Sequence, residues 1–285
     1  MFWMACAPKE EQVEANPDTL EGSWKLTSYL ADGDSVWQEY TDDVIYLKHV
    51  TPTHFTWIRF NKNENAMAGT GGGTYKYDGK TYTEDITFFH PPGSNELGQA
   101  IPFDVTFKDG KWYHTGYARV LEFDPEIGES VVVDSSKIEE IWSRVEIKSE
   151  PENQELLGTW NLSRYKELGD SVYSEYPDFV KYLKLITPTH FIWIYYNEAG
   201  DEVVAEGGGT WSYENDVYSE VLDFVHPPVS GLTGVSLPFE FDMEDGRWYH
   251  KGWSKVAQTD PETGEEKTVE TRVDEVWKAY KEQGI

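Results

Sequence analysis

The chain of 285 residues has a single cysteine, Cys6. An internal disulfide framework is therefore excluded, and stability must come from packing. Positive charge is scarce: 24 Lys and Arg stand against 52 Asp and Glu, a formal net charge of −28. A surface of that sign repels phosphate backbones and anionic headgroups, so nucleic acid and charge-driven membrane binding are not expected. No apolar run in the body of the chain reaches the roughly 18 residues of a spanning helix. Signatures of common catalysts are missing as well. There is no nucleophile elbow and no triad order, and the Gly71-Gly-Gly73 run lacks the Lys-Ser/Thr of a phosphate loop. What is plentiful is aromatic residues, 15% of the chain with 12 Trp and 18 Tyr. Twisted strands with cross-strand ring pairs accommodate that composition, and helices do so less readily.

The N-terminus is the one place where a membrane enters the reading. Met1-Phe-Trp-Met-Ala5 is apolar, ends in a small residue directly before Cys6, and gives way to an acidic, polar stretch beginning Ala-Pro-Lys-Glu-Glu. It resembles the end of a bacterial lipoprotein signal with Cys6 as lipid acceptor, and Lys9-Glu-Glu11 resembles the tether that sends such proteins to the cell surface in Bacteroidetes-type bacteria. Five apolar residues are too few for the roughly 7 to 15 of a signal core, so an upstream part is implied. The expected location is the cell envelope, on a surface-exposed outer-membrane lipoprotein touching the membrane through its lipid alone. The competing reading of Cys6 is a free cysteine on a frayed tail.

The dominant pattern is internal repetition at one constant offset. Gly22-Ser-Trp24 returns as Gly158-Thr-Trp160, Thr51-Pro-Thr-His-Phe55 as Thr187 to Phe191, Gly71-Gly-Gly-Thr74 as Gly207 to Thr210, and Trp112-Tyr-His114 as Trp248 to His250. Two copies of this length are duplicated domains rather than solenoid repeats. The divisions expected are a tail over 1–18, a first domain over 19–147, a linker over 148–155 and a second domain over 156–285. The segment 146–155, polar with one Pro, reads as a semi-rigid joint.

Within each copy the period is two. Phe103, Val105 and Phe107 alternate with polar residues up to Asp109-Gly110, a two-residue hairpin turn. That turn sets Phe107 opposite Trp112, so Trp112 and His114 share the apolar face, as Trp248 and His250 do in the second copy. In the segment 82–90, Tyr82, Glu84, Ile86, Phe88 and His90 form one face; Tyr218, Glu220, Leu222, Phe224 and His226 repeat it while the opposite face drifts. The retained face is the expected interior. In 54–60 both faces are partly apolar, and a regular strand cannot turn both His54 and Trp57 inward. His49, without a histidine counterpart, reads as a surface residue. Gly71-Gly-Gly73 reads as a bulge or a tight strand entry where a Cβ would clash, and Asp124-Pro-Glu-Ile-Gly128 and Asp260-Pro-Glu-Thr-Gly264 as turns rather than calcium loops.

Gly-x-Trp on the first strand and Glu-x-Trp on the last, at Glu140-Ile-Trp142 and Glu275-Val-Trp277, resemble the lipocalin and wider calycin pattern. Thr-Pro-Thr-His-Phe-x-Trp followed by Gly-Gly-Gly-Thr and Tyr-Thr-Glu is similar to lipocalin-like domains of uncharacterised bacterial surface lipoproteins. The resemblance spans both copies. It implies an all-β fold, two tandem antiparallel barrels of about eight strands each, with room for one small ligand per barrel. It also implies an Arg on the last strand over the first-strand Trp. Arg144 fits that place, whereas the second copy has Ala279 there.

The ligand-binding candidates are Tyr82, Glu84, His90, Trp112 and His114 with Tyr218, Glu220, His226, Trp248 and His250. A second group is His54 and His190, together with Glu39 and Glu175 in a stretch where such barrels carry a lid. No pair of histidines has metal-motif spacing, so neither metal nor cofactor is expected. The function expected is binding of a small apolar or mixed-polarity molecule, a hydrophobic compound or a glycan. The alternatives are an acid–base enzyme using the interior Glu and His, whose catalytic residues the sequence leaves unknown, and a structural or glycan-contact lipoprotein.

Overall fold

A computed structural model describes residues 19–149, 151–259 and 266–281. Cys6 and the turn begun by Asp260 lie outside the described residues. The first copy forms β1 (Gly22–Leu30), β2 (Gln38–Glu39), β3 (Val44–Val50), β4 (His54–Asn61), β5 (Ala66–Tyr77), β6 (Thr81–His90), β7 (Ala100–Lys108), β8 (Lys111–Asp124) and β9 (Glu129–Arg144). The second forms β10 (Gly158–Tyr165), β11 (Ser174–Glu175), β12 (Val180–Ile186), β13 (His190–Asn197), β14 (Val203–Glu214), β15 (Val217–His226), β16 (Ser236–Glu244), β17 (Arg247–Thr259) and β18 (Glu266–Ala279). All pairings are antiparallel between neighbours, and β1–β9 and β10–β18 close each sheet on itself. Each copy is thus a closed barrel of eight strands, with a two-residue ribbon, β2 or β11, appended to its first strand.

Turn chemistry sets the register as the sequence predicts. Asp109 (φ 53°) and Gly110 (φ 71°) take the left-handed conformations of a tight hairpin, and Phe107 pairs with Trp112. Trp24, Tyr82, Phe103, Trp112 and Trp142 fill the first barrel, and Trp160, Tyr218, Phe239, Trp248 and Trp277 the second. One end of the first barrel is sealed by Arg144, whose Cζ lies 4.1 Å from the Trp24 ring, while Trp24 Nε1 donates to Leu20 O at 2.8 Å. In the second barrel Trp160 Nε1 likewise donates to Leu156 O at 2.9 Å, but Ala279 pairs with Trp160 and supplies no guanidinium.

Strand β6 departs from the expected pattern. Its pairing with β5 slips between Gly72 and Gly73, which face Phe88 and Ile86, so Thr87 is the extra residue of a bulge. A Cβ on Gly72 would meet Phe55 O at 2.5 Å, which keeps a side chain out. The bulge exchanges the faces. Tyr82, Glu84 and Ile86 point into the barrel, Phe88 turns outward, and Phe89 turns in. The reading of one inward face from Tyr82 to His90 therefore fails beyond Ile86.

The outward residues are covered by the other barrel. Ile58, Phe60 and Phe88 of the first copy join Leu183, Leu185, Ile192, Ile194, Tyr196, Val203 and Phe224 of the second in one buried cluster. At roughly 1.5 to 3 kcal/mol per buried aliphatic or aromatic side chain, this is a packed interface rather than two bodies on a tether. Its contacts are reciprocal. Phe60 meets Phe224 at 5.6 Å and Phe88 meets Tyr196 at 4.7 Å; Ser23 bonds Thr187 at 2.6 Å and Thr51 bonds Thr159 at 2.6 Å. Each pair exchanges the two equivalent positions, so the barrels are related by an approximate two-fold axis. His49 is buried here, 1% exposed and bonded to Ser23 Oγ at 2.9 Å. The surface placement expected for it is wrong, because the outer face of β3 is an interface.

Candidate functional site

At the centre of each barrel lies an ion pair not anticipated from sequence. Lys48 Nζ reaches Glu84 Oε1 at 2.7 Å, and Lys184 Nζ reaches Glu220 Oε1 at 2.7 Å, with all four side chains buried. Lys48 Nζ stands 4.9 Å from the Trp142 ring centroid, 5.3 Å from Trp112, 5.8 Å from Tyr82 and 5.9 Å from Phe55. Lys184 has the same cage from Trp277, Trp248, Tyr218 and Phe191. Burying a charge is costly unless it is paired, which explains why Glu84 and Glu220 are retained together with their lysines. Ring faces add a favourable field around the ammonium. The repeated Tyr46-Leu-Lys48 and Tyr182-Leu-Lys184 carried this signal.

The first barrel holds a cavity of about 260 Å³. Its deep part is made by Lys48, Glu84, Phe103, His114 and Trp142, from β3, β6, β7, β8 and β9; its partly exposed part by Tyr46, Trp57, Arg59, Glu96, Ile138 and Glu140. Tyr46, Trp57 and Phe89 form a continuous aromatic wall, with Tyr46–Trp57 at 5.8 Å and Trp57–Phe89 at 5.4 Å. His114 is 1% exposed, and neither ring nitrogen has a hydrogen-bond partner. Burial first, then the Lys48 charge, holds its pKa well below the usual histidine value, so the ring is neutral. Glu96, on the loop 91–99, is pushed up to about 7 by burial and by Glu84 and Glu140, against Lys48. Glu140 is raised by burial and by Glu84, with Lys48 and a 3.0 Å bond from Trp142 Nε1 opposing.

The second barrel differs at these places. Leu232 stands where the first has Glu96, and Tyr195 where it has Arg59. Leu232 packs on the core, and Tyr195 lies 5.8 Å from Tyr182. His250, 2% exposed, bonds Glu275 Oε2 through Nδ1 at 3.2 Å. Burial pushes the Glu275 carboxyl up, but that bond and the neighbouring His250 and Lys184 charges outweigh it and hold it below the ordinary range.

The sequence candidates divide accordingly. Tyr82, Glu84, Trp112 and His114 come together inside the first barrel, and Tyr218, Glu220, Trp248 and His250 inside the second. The other histidines lie between the barrels. The His90 ring is 5.7 Å from His226, although His90 also borders the first cavity; His54 is 4.5 Å from Tyr280, and His190 is 5.7 Å from His49. Glu39 and Glu175 are exposed on the appended ribbons and do not line the cavity.

No family model matches the chain, and no curated protein matches it. Among solved structures it is similar to an uncharacterised protein from Saccharomyces cerevisiae, with a TM-score of 0.44 and 11% identity over 91% of this chain and 97% of that one. It is also similar to a Nostoc punctiforme protein of unknown function from the DUF3598 family, with a TM-score of 0.23 and 8% identity over 92% and 99%. Likenesses this distant carry no statement about function.

Proposed function

We propose that the chain is a small-molecule binding protein of lipocalin-like kind, attached to the bacterial cell envelope through a lipid on Cys6, with its principal site in the first barrel. The observation that carries the binding reading is a roomy aromatic cavity into which a fully buried, unbonded imidazole opens. A buried polar group without a partner is costly, and a ligand that hydrogen-bonds His114 offsets that cost. Anchoring rests on the residues around Cys6 alone.

The test is a thermal-shift screen of small molecules on the wild type and on Ile138→Trp, which fills the partly exposed part of the cavity. Compounds that raise the melting temperature of the wild type and not of the variant are expected. A screen in which every stabilising compound acts equally on both would refute the site. A second reading, proton transfer on the bound molecule, is favoured by one observation: the Glu96 carboxyl, near 7, titrates where a general acid–base works best. It requires a bell-shaped rate profile that Glu96→Gln abolishes.

A further inference from the structure

The proposal here rests on the reading of the first-barrel cavity as a ligand site and names the class of ligand. Three carboxylates, Glu84, Glu96 and Glu140, face that cavity closely enough to act on one another, and among the described residues Lys48 is the cation that acts on all three. Lys48 is already committed to Glu84 at 2.7 Å. Among the described residues, no cationic side chain is bonded to Glu96 or Glu140, and Glu140 accepts from Trp142 Nε1. Arg59 is the other strong cation of the lining, and its hydrogen bond goes to Ala68 O at 3.2 Å rather than to a carboxylate. The walls are Tyr46, Trp57 and Trp142, rings that attract cations to their faces. His114, buried with both nitrogens unpartnered, is the independent sign that a ligand completes the group.

We infer that the first-barrel cavity binds a small organic cation, a primary amine on a flat apolar body, whose ammonium group sits between Glu96 and Glu140 and whose body lies against the aromatic wall. The volume of about 260 Å³ equals roughly nine water volumes, the size of a one-ring compound. The second barrel does not share the specificity. Leu232 replaces Glu96, and Glu275 already has His250. One cation per chain is the expected stoichiometry.

Proton linkage distinguishes this from general stickiness. Glu96, raised to about 7 chiefly by burial, is half protonated at neutral pH, and an ammonium beside it favours the carboxylate. Binding therefore releases about half a proton at pH 7, and affinity rises from pH 6 to pH 8. Tyr46, Lys48, Arg59, Glu84, His90, His114 and Glu140 are the other titratable groups of the lining. His114 is already neutral across this range, and a protonated His90 would oppose the cation and steepen the same trend.

The experiment is isothermal titration of the full chain with three compounds of one shape and different charge: 2-phenylethylamine, 2-phenylethanol and phenylacetate. The amine is expected to bind at least tenfold more tightly than the alcohol and the acid weakest, with one site per chain and heats that depend on the buffer's ionisation enthalpy. Glu96→Gln should weaken the amine about tenfold, leave the alcohol unchanged and remove the rise between pH 6 and 8. Equal affinities, or preference for phenylacetate, would overturn the cation assignment while leaving a ligand-binding cavity. Absence of binding by all three up to millimolar concentration would overturn it too, and the screen with Ile138→Trp then decides the broader reading separately.

Discussion

Acidification should loosen the contact between the barrels, and the two histidines duplicated from Thr-Pro-Thr-His-Phe carry a calculable part of that effect. His54 packs on Tyr280 at 4.5 Å and His190 on His49 at 5.7 Å, with each Nδ1 held by the preceding threonine hydroxyl. Burial lowers each ring from 6.5 to about 4. A base depressed in the folded state stabilises fully above its unfolded pKa and progressively less as pH falls toward the folded one. The window is therefore pH 6.5 down to 4. At 1.36 kcal/mol per unit, each ring should cost about 2 kcal/mol by pH 5 and about 3 kcal/mol by pH 4. His54→Phe/His190→Phe keeps the ring packing and removes the titration. Melting temperatures followed from pH 7.5 to 4.5 should show the variant close to the wild type at the upper end and several degrees above it at the lower end. A difference between the two proteins that stays constant across the window would refute the assignment.

Other perturbations have equally definite signs. Lys48→Met leaves Glu84 buried without its partner and should cost about 3 to 5 kcal/mol in denaturant titration, while Lys48→Met/Glu84→Leu recovers most of it; a double variant as unstable as the single one would contradict the paired-charge account. Glu206, 0% exposed, accepts from Thr70 Oγ1 at 3.0 Å across the interface, and burial raises its carboxyl well above 4.5. A raised acid stabilises below its unfolded pKa and loses that contribution as pH rises, so Glu206→Gln should raise the melting temperature at pH 8 and less so at pH 4.5, and a lower melting temperature at pH 8 would refute it. A first barrel expressed alone, residues 19–149, exposes Ile58, Phe60 and Phe88 and should self-associate in size-exclusion chromatography with light scattering; a monomer at high concentration would show that the interface contributes little.

The barrels were legible because their signals are local. Asp109-Gly110 specifies its turn through backbone conformations that few residues adopt, and the alternation on either side then assigns every side chain of β7 and β8 to a face. Gly71-Gly-Gly73 announced a bulge, but the consequence of a bulge is non-local: Thr87 on the partner strand becomes the extra residue, and Phe88 and Phe89 trade places. The two-sided apolarity of β4 was ambiguous for a related reason. Phe55 and Trp57 face their own core while Ile58 and Phe60 face the neighbour's, and no periodicity within a strand distinguishes a core from an interface. Lys48 was passed over because a lysine in a strand ordinarily lies at the surface, and only the position of Glu84 three strands away reverses that expectation.

The exchange symmetry of the interface bears on how two unequal barrels came to share one chain. Phe60 on Phe224 and Phe88 on Tyr196, like Ser23 on Thr187 and Thr51 on Thr159, are the contacts that a homodimer of a single-barrel protein would make about its own axis. In such a homodimer any substitution appears twice, so a glutamate gained at one cavity burdens both. Covalent fusion removes that constraint. Once both halves are encoded in tandem, Glu96 can persist opposite Leu232, Arg59 opposite Tyr195, and Thr70 can meet Glu206 where a homodimer would have to pair a residue with itself. Duplication thus makes room for a division of labour, with one barrel free to keep a demanding, charge-laden interior and the other free to become its well-packed support.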